Sequence, residues 1–233
     1  MPVTLTVNEY GGAVTRTKKL QTFSFFDVDE AAIRTTAALA ADVTDELVQD
    51  VLVTGTQIIR ANGRASVGAV TSTDYIKATD VRKSVTKLRR NKVPGWDAMG
   101  TYAGGIHPDV LHDLREETGS GSWRVPAEYG TNGPNSMIWN GEFGMFEGVR
   151  FVQNTRNRTA TDGASSAKVY RTFIQGRQAI AESAVEEPHI ILGPVVDKLQ
   201  RFRTVGWYSI IGWCLYRNES LIVHQASSSV AAL

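Results

Sequence analysis

VDEAAIRTTAALAADVTDELVQDVLVT, residues Val28 to Thr54, contains neither glycine nor proline and is bounded by Asp27 on one side and Gly55 on the other. Asp27 with Glu30 three residues on fits a capping box, in which an oxygen-bearing side chain closes the first free N–H groups of a helix. Ile33, Ala37, Ala40, Leu47, Val48, Val51 and Leu52 fall on one helical stripe, while Asp42, Asp45, Glu46 and Gln49 fall on the other. The pattern predicts one rod about 40 Å long at 1.5 Å per residue. Helices in globular domains average only about 11–12 residues, so a rod of this length sets the architecture around it.

Upstream, VTLTVNEYGGAVTRTKKLQ (Val3 to Gln21) is rich in Val and Thr but has few bulky apolar residues beyond Leu5, Tyr10 and Leu20. It predicts a two-stranded ribbon turning at Gly11-Gly12, with too little apolar area to hold itself together. Arg16, Lys18 and Lys19 cluster on its returning side. Such a ribbon must lie against something else, and the acidic face at Asp42, Asp45 and Glu46 is one candidate partner for its cations.

Downstream, Asn62-Gly63 and RASVGAVTSTDY read as loop. A second helix is expected over Asp80 to Asn91, with Val81, Val85 and Leu88 inward, Arg82, Lys83, Lys87, Arg89 and Arg90 outward, and a stop at Pro94-Gly95. The basic face suits a solvated helix whose last-turn cations complement the dipole. It also suits contact with phosphate or an acidic neighbour, through Arg82, Lys87 and Arg90. MGTYAGGI (Met99 to Ile106) reads as a buried strand leading into His107-Pro108-Asp109, where Pro fits the first helical turn and Asp favours the positive helix end. The tripeptide is also the signature of J-class chaperone co-factors, but there it lies in a loop between two helices, not after a strand. His107 and His112 point away from each other at five-residue spacing, unlike the four-residue spacing of zinc helices.

Gly119 to Asn135 reads as a long polar loop, Met137 to Asn154 as a hairpin or meander, and Val169 to Ile174 as a strand. RQAIAESAV after Gly176 suggests a short helical turn, and the last stretch gives two strands joined by Arg217-Asn218-Glu219. Cys214, the one cysteine, excludes an intramolecular disulfide and reads as a strand-core thiol. Twenty-five basic against 24 acidic residues give a net charge of +1, which supplies no global field for nucleic acid. The N-terminus lacks the pattern of a cleavable signal, and no run approaches the ~20 apolar residues that span a bilayer. No nucleotide fingerprint and no Ser-His-Asp or paired-carboxylate constellation stands out.

The order of TLTVNEYGGAVTRTKKLQ, DELVQDVLVTGT, GTYAGGIHPDVLHDLR, WNGEFGMFEGVRFVQN, VYRTFIQGRQAI and GWYSIIGWCLYRNESLIVHQASS resembles the major capsid proteins of tailed bacteriophages related to the coliphage N-four capsid group. The resemblance implies an α+β subunit of the Hong Kong 97-type shell fold, with an extended β-hairpin loop, a long spine helix, a peripheral domain and an axial domain. It places the extended loop at residues 1–22, the peripheral domain with its spine helix at 23–78, the axial domain at 79–200, and C-terminal strands returning to the peripheral domain at 201–233. Members begin with an N-terminal arm and the outgoing strand of the loop, whereas this chain starts almost in the loop: that part lies upstream of Met1, or this member is short. The implied function is structural, without enzymatic activity, cofactor or metal. Pentamers and hexamers tile an icosahedral shell around double-stranded DNA, which is contacted weakly and non-specifically. The implied partners are further copies of the chain (through Tyr10, Arg16, Lys18, Lys19, Asp42, Asp45 and Glu46), portal and scaffold proteins, and decoration proteins. The implied locations are the virion capsid and, during assembly, the host cytoplasm. Two rivals are an encapsulin-like compartment, which encloses cargo protein with the same fold, and a soluble α/β enzyme with its site in the Gly119 to Asn135 loop.

Overall fold

The computed structural model describes residues 3–117, 142–195, 197–199 and 201–230. The expected Gly119 to Asn135 loop and the start of the Met137 to Asn154 hairpin lie outside them. The chain forms two compact units, one made of Met1–Val48 and Ala181–Cys214, the other of Gln49–Ile180 and Leu215–Leu233. The boundaries at residues 22, 78 and 200 expected from the sequence therefore do not coincide with the division by contacts.

The first unit carries a three-stranded sheet in the order β1 (Asn8–Thr17), β9 (Phe202–Leu215), β8 (Ile180–Val195). The expected ribbon is absent. β1 runs straight through Gly11 and Gly12 and pairs antiparallel with β9 of its own chain, from Asn8 opposite Ile211 to Thr17 opposite Phe202. Gly12 serves close approach rather than a turn: a Cβ there would lie 3.0 Å from Trp207 Nε1 and 3.1 Å from a Leu39 methyl, so only glycine lets the helix and strand come this near. A short helix α1 (Lys18–Phe23) follows, with the Thr17 hydroxyl accepting from the Leu20 N–H at its start.

The long helix α2 spans Val28–Val53, about 39 Å. Asp27 Oδ1 accepts from the N–H groups of Asp29 (2.9 Å) and Glu30 (3.3 Å), as the capping pattern requires. Glu30 does not complete the box; its carboxylate pairs with Arg34 one turn on, at 2.5 Å. The predicted stripe is partly corrected: Val28, Thr36, Ala40, Gln49 and Leu52 are buried, while Ala37 is exposed. An alanine-rich helix has little apolar contrast between its faces, so periodicity weakly fixes which face turns inward.

The second unit is built on a seven-stranded sheet ordered β2 (Ile58–Arg60), β10 (Leu221–Ala226), β7 (Val169–Gln175), β3 (Tyr102–Ile106), β5 (Val149–Gln153), β4 (Glu142–Phe146), with β6 (Thr159–Ala160) pairing β7. β10 and most of β7 are buried on both faces, so that Arg171, Thr172, His224 and Gln225 are enclosed along with their apolar neighbours. β4 and β5 form the expected hairpin, closed by Glu147 (φ 52°) and Gly148 (φ 81°); two consecutive left-handed residues define the tight turn whose twist matches paired strands. Helices α3 (Ala78–Arg90) and α4 (Pro108–Glu116) contribute Val81, Val85, Leu88, Val110, Leu111 and Leu114 to a core shared with Tyr102, Ile106, Phe151, Tyr170 and Ile222.

Three further expectations change. RQAIAESAV is not a helical turn: its residues from Ile180 onward open the sixteen-residue strand β8. The two C-terminal strands are real but enter different sheets, β9 between β1 and β8 in the first unit and β10 between β2 and β7 in the second. Cys214 is half-buried in β9 rather than a core thiol.

Candidate interaction surfaces

The His107 corner is structural. His107 Nδ1 accepts from the Asp109 N–H at 3.2 Å, so the ring itself caps α4, with Pro108 in the first turn. The ring packs on Tyr170 at 4.8 Å, and the Tyr170 hydroxyl donates to Asp109 Oδ2 at 2.6 Å. Burial lowers the His107 pKa, aided by Lys168 and opposed by Asp109. A lowered pKa keeps Nδ1 free of a proton and able to accept. His107→Ala should cost about 1 kcal/mol, the usual worth of an N-cap, in urea denaturation; no loss would mean the ring does not cap. His112 faces Asp113 and Glu116, each at 3.6 Å, and no cluster of three or more metal-ligating side chains occurs among the described residues. No described helix is long and apolar enough to cross a membrane.

The basic helix face borders a cavity of about 360 Å³ lined by Ile59, Arg82, Lys83, Thr86, Lys87 and Arg90. Arg82 is held by Glu147 (2.9 Å) and Lys83 by Asp80 (3.1 Å), so part of this charge is already neutralised. Lys87 and Arg90 form no ion pair with another described residue.

In the first unit, Arg16 is corrected from an outward-reaching cation to a buried one. Its Nε lies 2.6 Å from Asp29 Oδ1 and its Nη1 donates to Gln21 Oε1 at 2.8 Å. Lys18 and Lys19 are exposed on α1, Tyr10 is half-buried in β1, Asp42 and Asp45 are half-buried on α2, and Glu46 is exposed. The structure thus brings Arg16 to the carboxylate of Asp29, not to the predicted acidic face. Sequence reasoning also missed the segment between α1 and α2: Phe23, Phe25 and Phe26 are 75%, 108% and 67% exposed. The available signal was FSFF placed directly before a cap, where no helical or strand period accounts for three aromatics. Each Phe buries 150–250 Å² when covered, so at these exposures roughly 375–625 Å² of apolar surface stands open, the size of an interaction patch.

The sequence matches the family described as "Phage capsid protein" over residues 3–219. The chain belongs to the phage capsid protein family. Phage capsid proteins are structural. Among solved structures, the capsid of Ralstonia phage GP4 aligns with a TM-score of 0.79 at 15% identity, covering 97% of this chain and 74% of that one. The cyanophage Pam1 capsid asymmetric unit aligns at 0.72 and 16% identity, covering 97% and 76%. The holo-SrpI encapsulin complex from Synechococcus elongatus PCC 7942 aligns at 0.63 and 9% identity, covering 95% and 74%. At these identities the likeness shows the fold, a mixed α+β capsid subunit. No curated protein sequence gives a significant match.

Proposed function

We propose that this capsid protein is the major shell subunit of a tailed phage of the coliphage N-four capsid group, with a Hong Kong 97-type architecture. Its pentamers and hexamers form an icosahedral shell around double-stranded DNA. The family match over residues 3–219 carries the reading. In this scheme the unit with β1, β8, β9 and most of α2 is the peripheral domain, and the unit with the seven-stranded sheet is the axial domain. Tyr10, Lys18, Lys19 and the α2 face at Asp42, Asp45 and Glu46 lie at contacts between copies. Arg82, Lys87 and Arg90 face DNA or a neighbouring copy. Portal, scaffold and decoration proteins complete the particle, which assembles in the host cytoplasm.

Negative-stain electron microscopy of the expressed and virion-derived protein tests this directly: closed shells with nuclease-protected DNA are expected. Shells holding cargo protein and no DNA would support the compartment reading, which the encapsulin likeness makes the relevant alternative. The aromatic segment gives a sharper test. Burying one Phe is worth about 1.5–3 kcal/mol, so Phe25→Ser with Phe26→Ser should remove roughly 3–6 kcal/mol from each contact that covers them. Because both side chains are exposed in the subunit, the double variant should stay folded by circular dichroism while shells disappear. Normal shells from it would show that the segment is not an assembly contact.

A further inference from the structure

The link end of the three-stranded sheet holds a charge imbalance that no described residue of this chain relieves. A cavity of about 110 Å³ is lined by Arg16, Lys18, Gln21, Arg201 and Arg203. Arg16 and Arg203 are direct partners in the β1–β9 register, and the Lys18 N–H donates to the Arg201 carbonyl at 2.7 Å, which draws all four cations together. Like charges placed opposite each other on neighbouring strands destabilise the pair unless a counter-charge sits between them. Asp29 answers Arg16, and Asp197 answers Arg201 at 2.5 Å. Lys18 and Arg203 meet no carboxylate among the described residues, so the cavity keeps an excess of two positive charges.

The opposite edge of the same sheet has the reverse excess. β8 is sixteen residues long and contains no buried residue. It carries Glu182, Glu186 and Glu187 beside Val185, which is 71% exposed. β8 ends at Val195 and β9 begins at Phe202, so the cationic cavity lies near the end of β8 opposite to these carboxylates. Between Glu187 and Val195 the strand extends roughly 26 Å at about 3.3 Å per residue, which puts these carboxylates out of reach of their own chain's cavity.

We propose that the Arg16–Lys18–Arg201–Arg203 cavity is a carboxylate-binding site filled by the Glu182–Glu187 segment of β8 from a second copy. The inference rests on the shell-subunit reading. Acceptor and donor occupy different places on one subunit, so the contact is heterologous, and heterologous contacts close into rings when the rotation allows. It also gives the edge strand β8 a covering that its own chain does not provide.

The test is a charge exchange in the full chain. Arg203→Glu alone, and Glu186→Lys with Glu187→Lys, should each leave circular dichroism and the melting temperature near wild type, because all three side chains lie at least partly in solvent. Each should reduce shell yield about tenfold or more at equal protein concentration, by sedimentation, since an unpaired interfacial charge weakens a contact by at least that factor. Combining all three substitutions should restore most of the yield, because every cavity then meets a reversed strand. Wild-type yield from Arg203→Glu, or a combined variant no better than its parents, overturns the inference while leaving the shell reading intact. Failure of the unmodified protein to form any shell overturns both. Calorimetric titration with inorganic phosphate separates the sources of the anion: saturable binding together with unchanged assembly of the variants would assign the cavity to a phosphate ligand and refute the second-copy carboxylate.

Discussion

Asp74→Ala should destabilise the protein by about 3–5 kcal/mol in urea denaturation, because it strands several donors that converge on one buried carboxylate, each costing about 1–3 kcal/mol when left unpaired. The side chain is 1% exposed and gathers a whole loop. It accepts from Asn62 Nδ2 (2.6 Å), from Arg64 Nε and Nη2 (2.8 and 3.2 Å), and from both the N–H and the hydroxyl of Thr71 (2.8 and 2.9 Å). Its own carbonyl accepts from the Ser227 N–H at 2.8 Å. Burial pushes the carboxyl pKa up, but the hydrogen bonds from Arg64, Asn62 and Thr71 outweigh it and hold the group well below the usual carboxylate range. A carboxylate with a depressed folded pKa stabilises the fold above its unfolded value near 3.9, and that contribution is lost as pH falls further. Arg64→Ala should cost less, because the guanidinium is 41% exposed and solvent can replace part of its role. A loss below about 1 kcal/mol for Asp74→Ala would show that the loop is held by something else.

Acid should weaken the same unit in an earlier and separate window. His224 lies in the fully buried strand β10, its Nε2 in hydrogen-bond contact with Ser84 Oγ on α3. Burial pushes its pKa down to about 4, with Asp80 opposing and Lys83 assisting. In the unfolded chain the ring titrates near 6.5. Between about pH 6.5 and 4 the unfolded state therefore binds a proton that the native state refuses, and stability falls as pH drops through that range. The full effect is about 3 kcal/mol, and it flattens below about pH 4, where both states are protonated. His224→Gln, which can still bond Ser84 but cannot titrate, should flatten the stability profile in this window relative to wild type. Parallel profiles for the two proteins would exclude His224 as the source.

The parts of the fold legible in the sequence are those fixed by local chemistry. The Asp27 cap places the start of α2, and Pro108 and Asp109 place α4. The misreadings arose where a distant strand decides. Gly11-Gly12 has ordinary turn chemistry, and only the arrival of Trp207 and Leu39 makes it a straight strand. Ala, Glu and Gln favour helix in RQAIAESAV, yet pairing with β9 overrides that preference. The candidate surfaces show the same limit. Arg16, Lys18 and Lys19 were visible as a basic cluster, but Arg201 and Arg203, which complete the cavity, are 182 or more positions away, and only the β1–β9 register unites them. Nothing in RASVGAVTSTDY distinguishes Asp74 from any loop aspartate, because its five donors converge only in space.

The place of β10 has a consequence for how the subunit is made. It joins β2 on one side, in parallel, and β7 on the other, although β2 lies some 160 residues earlier in the chain. Synthesis runs from the N-terminus, so the ribosome must deliver Leu221–Ala226 before Ile58–Arg60 has a strand to pair with. Until then β2 waits and its sheet stays open, and closing so long a loop makes the final step slow. A product interrupted before Leu221 therefore leaves translation with an unfinished sheet. A chain that lacks Leu221–Ala226 has neither the parallel partner of β2 nor the antiparallel partner that β10 gives β7.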